Sequence, residues 1–100
     1  MGSQSHITPA SRLSLSASAV STSIPGGTVV LDPASGHYFG LEGVGVRVWQ
    51  LLAQPVTLVR LVETITDEFE VDAATCERDL RALLDDLLGR GLVTIADAEA

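Results

Sequence analysis

Residues 28–52 read TVVLDPASGHYFGLEGVGVRVWQLL, and within this stretch the apolar pattern changes period once. Thr28 to Asp32 and His37 to Leu41 are runs rich in β-branched and aromatic side chains. Pro33-Ala34-Ser35-Gly36 between them has the length and chemistry of a hairpin loop, so the spacing predicts two antiparallel strands. From Val44 the period becomes helical. Val44, Val48, Leu51 and Leu52 share one face with Trp49 on its flank, and Pro55 stops the pattern near Ala53. Three of the chain's four aromatic side chains, Tyr38, Phe39 and Trp49, fall in this segment. Alternation sends Tyr38 and Gly40 to one face of their strand and His37, Phe39 and Leu41 to the other, so one aromatic anchors the core and its neighbour lies nearer the surface. Gly40 leaves room for another backbone to approach, and Trp49 reads as core.

Toward the C-terminus two more helices are expected. Thr57 suits the N-cap of one, in which Leu58, Leu61, Val62, Ile65 and Phe69 form an apolar stripe opposite Arg60, Glu63, Thr64, Asp67 and Glu68. Asp72 can cap the next, because its carboxylate can accept the free N–H groups of a first turn, and that helix runs to about Leu88. Cys76, Leu80, Leu83 and Leu87 line one face of it. Ala73, Leu84 and Leu88 widen the apolar sector to about 140°. A sector that wide covers more than one surface: either the helix is wedged centrally among the other elements, or it borders a groove that receives something apolar. Gly91-Leu92 matches a helix C-cap, and Leu92 to Ile95 can close the chain as a short strand.

Toward the N-terminus, Leu13, Leu15 and Ala17 alternate with Ser14, Ser16 and Ser18, the pattern of a half-buried strand or, alternatively, a polar disordered arm. Ile24 to Gly27 reads as a turn or loop. Residues 1–10 are expected to be a flexible tail or a remnant of cloning, and residues 11–96 a single domain. The resulting expectation is an α+β fold, an N-terminal three-stranded antiparallel sheet followed by three helices, in the layout of a winged helix-turn-helix.

Composition narrows the function. A chain of 100 residues, 46% of them apolar, supports one core and needs no cofactor to fold. Its net charge is −7, and all six cations are Arg. Nucleic acid is a poor partner for such a chain, and the usual occupation of a winged helix is further opposed by the acids Asp72, Glu77, Asp79, Asp85 and Asp86 on the third helix against only Arg78 and Arg81. The single Cys76 cannot form an internal disulfide and suits a reducing compartment, which points to the cytoplasm. No apolar run reaches the roughly 20 residues needed to span a bilayer, and the first residues do not read as the basic and apolar segments of a signal peptide. Catalysis would need a nucleophile with a base, paired acids in a cleft or a metal cluster. His6 lies in the expected tail, His37 stands alone at a strand start, Cys76 has no His near it, and the acids at 67, 68, 70, 85 and 86 read as solvated faces. No catalytic or metal residue is therefore assigned.

The segments YFGLEGVGVRVWQLL (38–52), TLVRLVETITDEFEVD (57–72) and DLRALLDDLLGRGLV (79–93) together resemble a PqqD-type peptide-recognition element, and in particular the small stand-alone proteins of lasso-peptide biosynthesis. The resemblance covers about residues 28–95. It rests on an aliphatic strand ending in Asp, a Gly-x-Tyr-Phe-x-Leu strand, a Gly-x-x-x-Trp helix and a final Asp-Leu…Gly-Leu-Val helix end. One position departs: Glu42 stands where the family commonly has a helix-capping Asn, so Gly43 or a shifted start must do that work.

The resemblance implies a winged-helix scaffold without catalytic activity that captures the leader of a ribosomally made precursor peptide. In that family the leader adds as a strand at the sheet edge and lies against the third helix, and the physical logic of strand addition agrees. His37, Tyr38, Phe39, Gly40 and Leu41 would supply the ladder. Cys76, Leu80, Leu83, Leu84 and Leu87 are the positions from which the groove floor would be drawn, with Arg78, Asp79 and Arg81 at its rim. The implied partners are the leader, a leader peptidase and a cyclase, and no cofactor is implied. Two other functions remain open: a DNA-binding or regulatory winged helix, and a PqqD-like chaperone for a different modifying enzyme. An exposed strand edge also allows either a monomer or a strand-exchanged dimer.

Overall fold

The computed structural model describes residues 7–96. Along them run β1 (Arg12–Leu15), β2 (Ser21–Ile24), β3 (Gly27–Leu31), β4 (Tyr38–Leu41), α1 (Val44–Leu51), β5 (Val56–Thr57), α2 (Leu58–Glu68), α3 (Ala73–Gly89) and β6 (Val93–Ala96). The strands form two three-stranded antiparallel sheets, β2-β3-β4 and β5-β1-β6. The fold is α+β.

The β3–β4 hairpin forms where the sequence places it, with Val30 opposite Phe39 and Thr28 opposite Leu41. Its third strand differs from expectation. The alternating Leu13–Leu15 segment is a strand, but it pairs with β6 and β5 in the second sheet. Ser21–Ile24 instead completes the first, Ser21 facing Val30 and Ile24 facing Gly27. Its side chains are all exposed, so β2 lacks the half-buried alternation that reveals a strand. It forms because a tight turn at Pro25-Gly26 returns the chain onto β3. β5 was likewise invisible, since two residues carry no period.

The helices start and stop on local chemistry. Gly43 is the N-cap of α1, with a φ of 59° that favours glycine, and no side chain caps this end. Thr57 accepts the Arg60 N–H and Asp72 accepts the Thr75 N–H, as their spacing implies. α3 ends in a Schellman motif: Gly91 takes φ of 76°, its N–H reaches the Leu88 carbonyl, and the Leu92 N–H reaches that of Leu87.

One core joins both sheets to the helices. Leu13, Val48, Leu52, Leu58, Leu61, Ile65, Leu84, Leu87 and Leu92 are buried in it. β1 is tied in by Leu15 N–H to Leu52 and Ser16 N–H to Leu92. Trp49 is buried as expected, and its indole N–H donates to Ser21 Oγ at 3.0 Å, which fastens β2 to α1. Of the expected tail, residues 1–6 lie outside the described residues. Ile7, the first of the described residues, is 3% exposed, and its carbonyl accepts a 2.8 Å bond from Arg81.

Candidate functional site

β4 is an edge strand, and its register decides which backbone groups are free. The Asp32 N–H donates to the His37 carbonyl at 2.8 Å. Hydrogen-bonded pairs alternate along an antiparallel ladder, so Val30/Phe39 and Thr28/Leu41 also exchange bonds. Tyr38 and Gly40 therefore direct their N–H and C=O groups away from β3, to the open side. Of the five residues His37–Leu41, two present backbone groups to the open side. His37 precedes the strand, with an exposed side chain and a carbonyl already used within the hairpin. Phe39 and Leu41 pack against the core, whereas Tyr38 is 67% exposed. A Cβ at Gly40 would meet no heavy atom within 4 Å.

β4 comes near the α3 C-cap at its start, and just past its end the start of α1 comes near α3. At its start, the Arg90 guanidinium of the α3 C-cap sits over the Phe39 ring, 4.8 Å from the centroid. Just past its end, Val44 meets Ile65, Val71, Cys76, Asp79 and Leu80 around an apolar dimple of about 140 Å³. These contacts assign the flanks of α3. At 100° per residue, Asp79, Leu83, Asp86 and Arg90 lie on the flank nearest the hairpin. Glu77, Arg81 and Leu88 lie on the opposite one, where Arg81 bonds Glu77 and Ile7.

The expected helix residues thus separate. Leu83 and Asp79 face the β4 side. Cys76, Leu80 and Leu87 are buried beneath it, at 3%, 2% and 0% exposure. Leu84 is fully buried toward the second flank, away from the β4 edge. Arg78 is exposed on the solvent face and pairs with Asp79 at 3.4 Å. Arg81 is committed to the N-terminal arm, which removes it from the rim. Burial pushes the Cys76 thiol up from its ordinary value, as do the charges of Asp79 and Asp72, so it stays a protonated, inert packing group.

Arg90 was missed in the sequence. Its Nη1 donates to Asp32 Oδ2 at 2.7 Å and its Nε to Asp86 Oδ2 at 3.0 Å. Asp32, 7% exposed, also accepts the Ala34 N–H at 3.0 Å. Burial alone would raise its carboxyl, but the Ala34 and Arg90 hydrogen bonds outweigh burial and hold it below the usual carboxylate range. The only sequence signal was the i,i+4 spacing of Asp86 and Arg90, because Asp32 lies 58 residues away.

Among the described residues no group of His, Cys, Asp or Glu could hold a metal ion, and no helix is long and apolar enough to cross a membrane. An open strand edge set beside a partly apolar helix flank is an arrangement that receives an extended peptide. The chain belongs to the PqqD family: the family model described as coenzyme PQQ synthesis protein D matches residues 27–93. Two solved structures share the fold. One is TbiB1 in complex with the TbiA(beta) leader peptide, at 39% identity and a TM-score of 0.72, covering 80% of this chain and 93% of that one. The other is lasso peptide synthetase B1 complexed with the leader peptide, at 27% identity and a TM-score of 0.71, covering 82% and 96%. No curated protein matches the chain.

Proposed function

We propose that this protein is a non-catalytic recognition element that binds the leader of a ribosomally made lasso precursor by strand addition at β4, and presents it to a leader peptidase and a cyclase. The observation that carries the reading is the open pair Tyr38 and Gly40 beside the α3 flank, in a chain whose two structural relatives hold leader peptides. A guest strand running along β4 exchanges backbone hydrogen bonds with those two residues. Its alternate side chains reach Leu83 and the dimple at Val44, Cys76 and Leu80, which is large enough for one aliphatic side chain. Asp79 and Asp86 on this flank favour a guest with a basic residue nearby.

The scaffold reads as a winged helix turned from DNA to peptide: α2 and α3 follow through residues 69–72, and the acids of α3 repel a phosphate backbone. A fluorescein-labelled TbiA(beta) leader peptide tests the reading. Titration is expected to give a Kd of about 1 μM or tighter, some −8 kcal/mol. Failure to bind both that peptide and the leader encoded beside this chain's own gene would refute it.

A further inference from the structure

We infer that Arg90 is a positioning residue for the guest strand, a clamp that fixes β4 against α3 by gripping Asp32 and covering Phe39. This rests on the β4 reading above. A guest that bonds β4 while leaning on α3 needs both surfaces at one separation, and binding is tighter when that separation is set beforehand. Beyond the core packing of Val30, Phe39 and Leu41, two attachments at the ends of β4 refine it. At one end of β4 the chain itself passes through Glu42-Gly43 into α1. At the other, the guanidinium joins four pieces: Asp86 on α3, Asp32 at the end of β3, the loop whose Ala34 N–H shares the Asp32 carboxylate, and the Phe39 ring of β4. Arg90–Asp32 is the only hydrogen bond or ion pair between side chains of the β2-β3-β4 segment and α3 among the described residues. Without it, the start of β4 is held toward α3 by core packing and the Trp49–Ser21 bond alone, and the fraction of molecules with the groove at the right width falls.

The planar fork is essential to this role. Arginine can serve two carboxylates while stacking on a ring, whereas the lysine ammonium is a compact point charge that cannot reproduce both contacts. The clamp differs from a merely stabilising ion pair because its effect is read in guest affinity, and because its two members act as one.

The test is a double-mutant cycle on the affinity of the labelled TbiA(beta) leader, with thermal melts of every protein. Arg90→Met is expected to weaken binding about tenfold, since apparent affinity scales with the competent fraction. Asp32→Asn should weaken it similarly, the pair together no more than either alone, and Arg90→Lys should recover only part. In the free protein, Arg90→Met should speed hydrogen exchange at the Asp32 and Phe39 amides of the hairpin while leaving the Leu13 and Leu15 amides of β1 unchanged. Wild-type binding with unchanged affinity in Arg90→Met, or losses in the two single variants that simply add, overturns the clamp. Absence of wild-type binding to this leader and to the one encoded with the chain overturns the strand-addition reading instead, and the exchange result then decides the clamp's mechanical part by itself.

Discussion

Proline substitution along β4 should separate binding from folding according to the parity of the residue. The Gly40 N–H faces the open edge, so Gly40→Pro removes no bond of the β3–β4 ladder. Space is free where the ring would sit on the Cβ side. Phe39, which precedes it, is already extended, as a residue before proline prefers. An edge strand tolerates proline when its N–H faces outward. For the guest, however, the substitution removes one donor, a loss of about 0.5–1.5 kcal/mol, and strands a guest carbonyl at about 1–3 kcal/mol more. Together these amount to about 1.5–4.5 kcal/mol, or a Kd raised roughly 10- to 2,000-fold.

Phe39→Pro is the control. The Phe39 N–H bonds Val30 within the hairpin, so its loss should unfold the sheet as well as end binding. Fluorescence anisotropy with the labelled TbiA(beta) leader reads the affinity, and circular dichroism reads the fold. A Gly40→Pro protein that melts like wild type and binds like wild type would refute the assignment of the open edge. So would a Phe39→Pro protein that stays folded while Gly40→Pro does not.

Other outcomes follow from the packing and the charges. Leu84→Ala, at a fully buried site away from β4, should cost about 3 kcal/mol and lower the melting midpoint by roughly 12–24 °C, with leader affinity unchanged below the transition; a selective loss of binding would place Leu84 at the guest after all. Asp32, Glu68 and Asp72 are all held below their ordinary values, Asp32 by Ala34 and Arg90 against the pull of burial, Glu68 by Arg47, and Asp72 by the Thr75 amide. The unfolded chain therefore takes up protons first as pH falls. These groups contribute fully above about pH 4.5 and their contribution fades below the ordinary values of 4.5 for Glu and 3.8 for Asp. The urea midpoint should drop on acidification below that point, and Asp32→Asn should flatten part of the drop; a midpoint that rises in acid would contradict the assignment.

How much could be read beforehand depended on the range of the interaction. The β3–β4 hairpin, both helix caps at Thr57 and Asp72 and the Gly91 C-cap rest on contacts within a few residues, and each appears where its sequence pattern implies. The strand at Leu13 and Leu15 was visible, but its partners were not. Alternation gives a face, whereas pairing with β6 across some 80 residues is decided by the core. β2 was hidden because Ser21–Ile24 carries no buried side chain to mark it.

The candidate site divides in the same way. The apolar breadth of α3 was legible, yet which flank meets β4 was not, so Leu84, Arg78 and Arg81 were grouped with Leu83 and Asp79. Tertiary contacts orient that helix: Arg90 with Phe39, Arg81 with Ile7, and Val44 beside Cys76, Asp79 and Leu80. The open edge at Tyr38 and Gly40 likewise needed one further fact, the Asp32–His37 hydrogen bond, to choose between the two parities of the strand.

The most direct test of strand addition is amide hydrogen exchange followed by NMR with and without the TbiA(beta) leader. The account predicts that the Tyr38 and Gly40 amides exchange quickly in the free protein and become strongly protected in the complex, while Phe39 and Leu41, bonded to β3 throughout, are protected in both. Saturating leader that leaves Tyr38 and Gly40 unprotected, or that protects β2 or β6 instead, would contradict it.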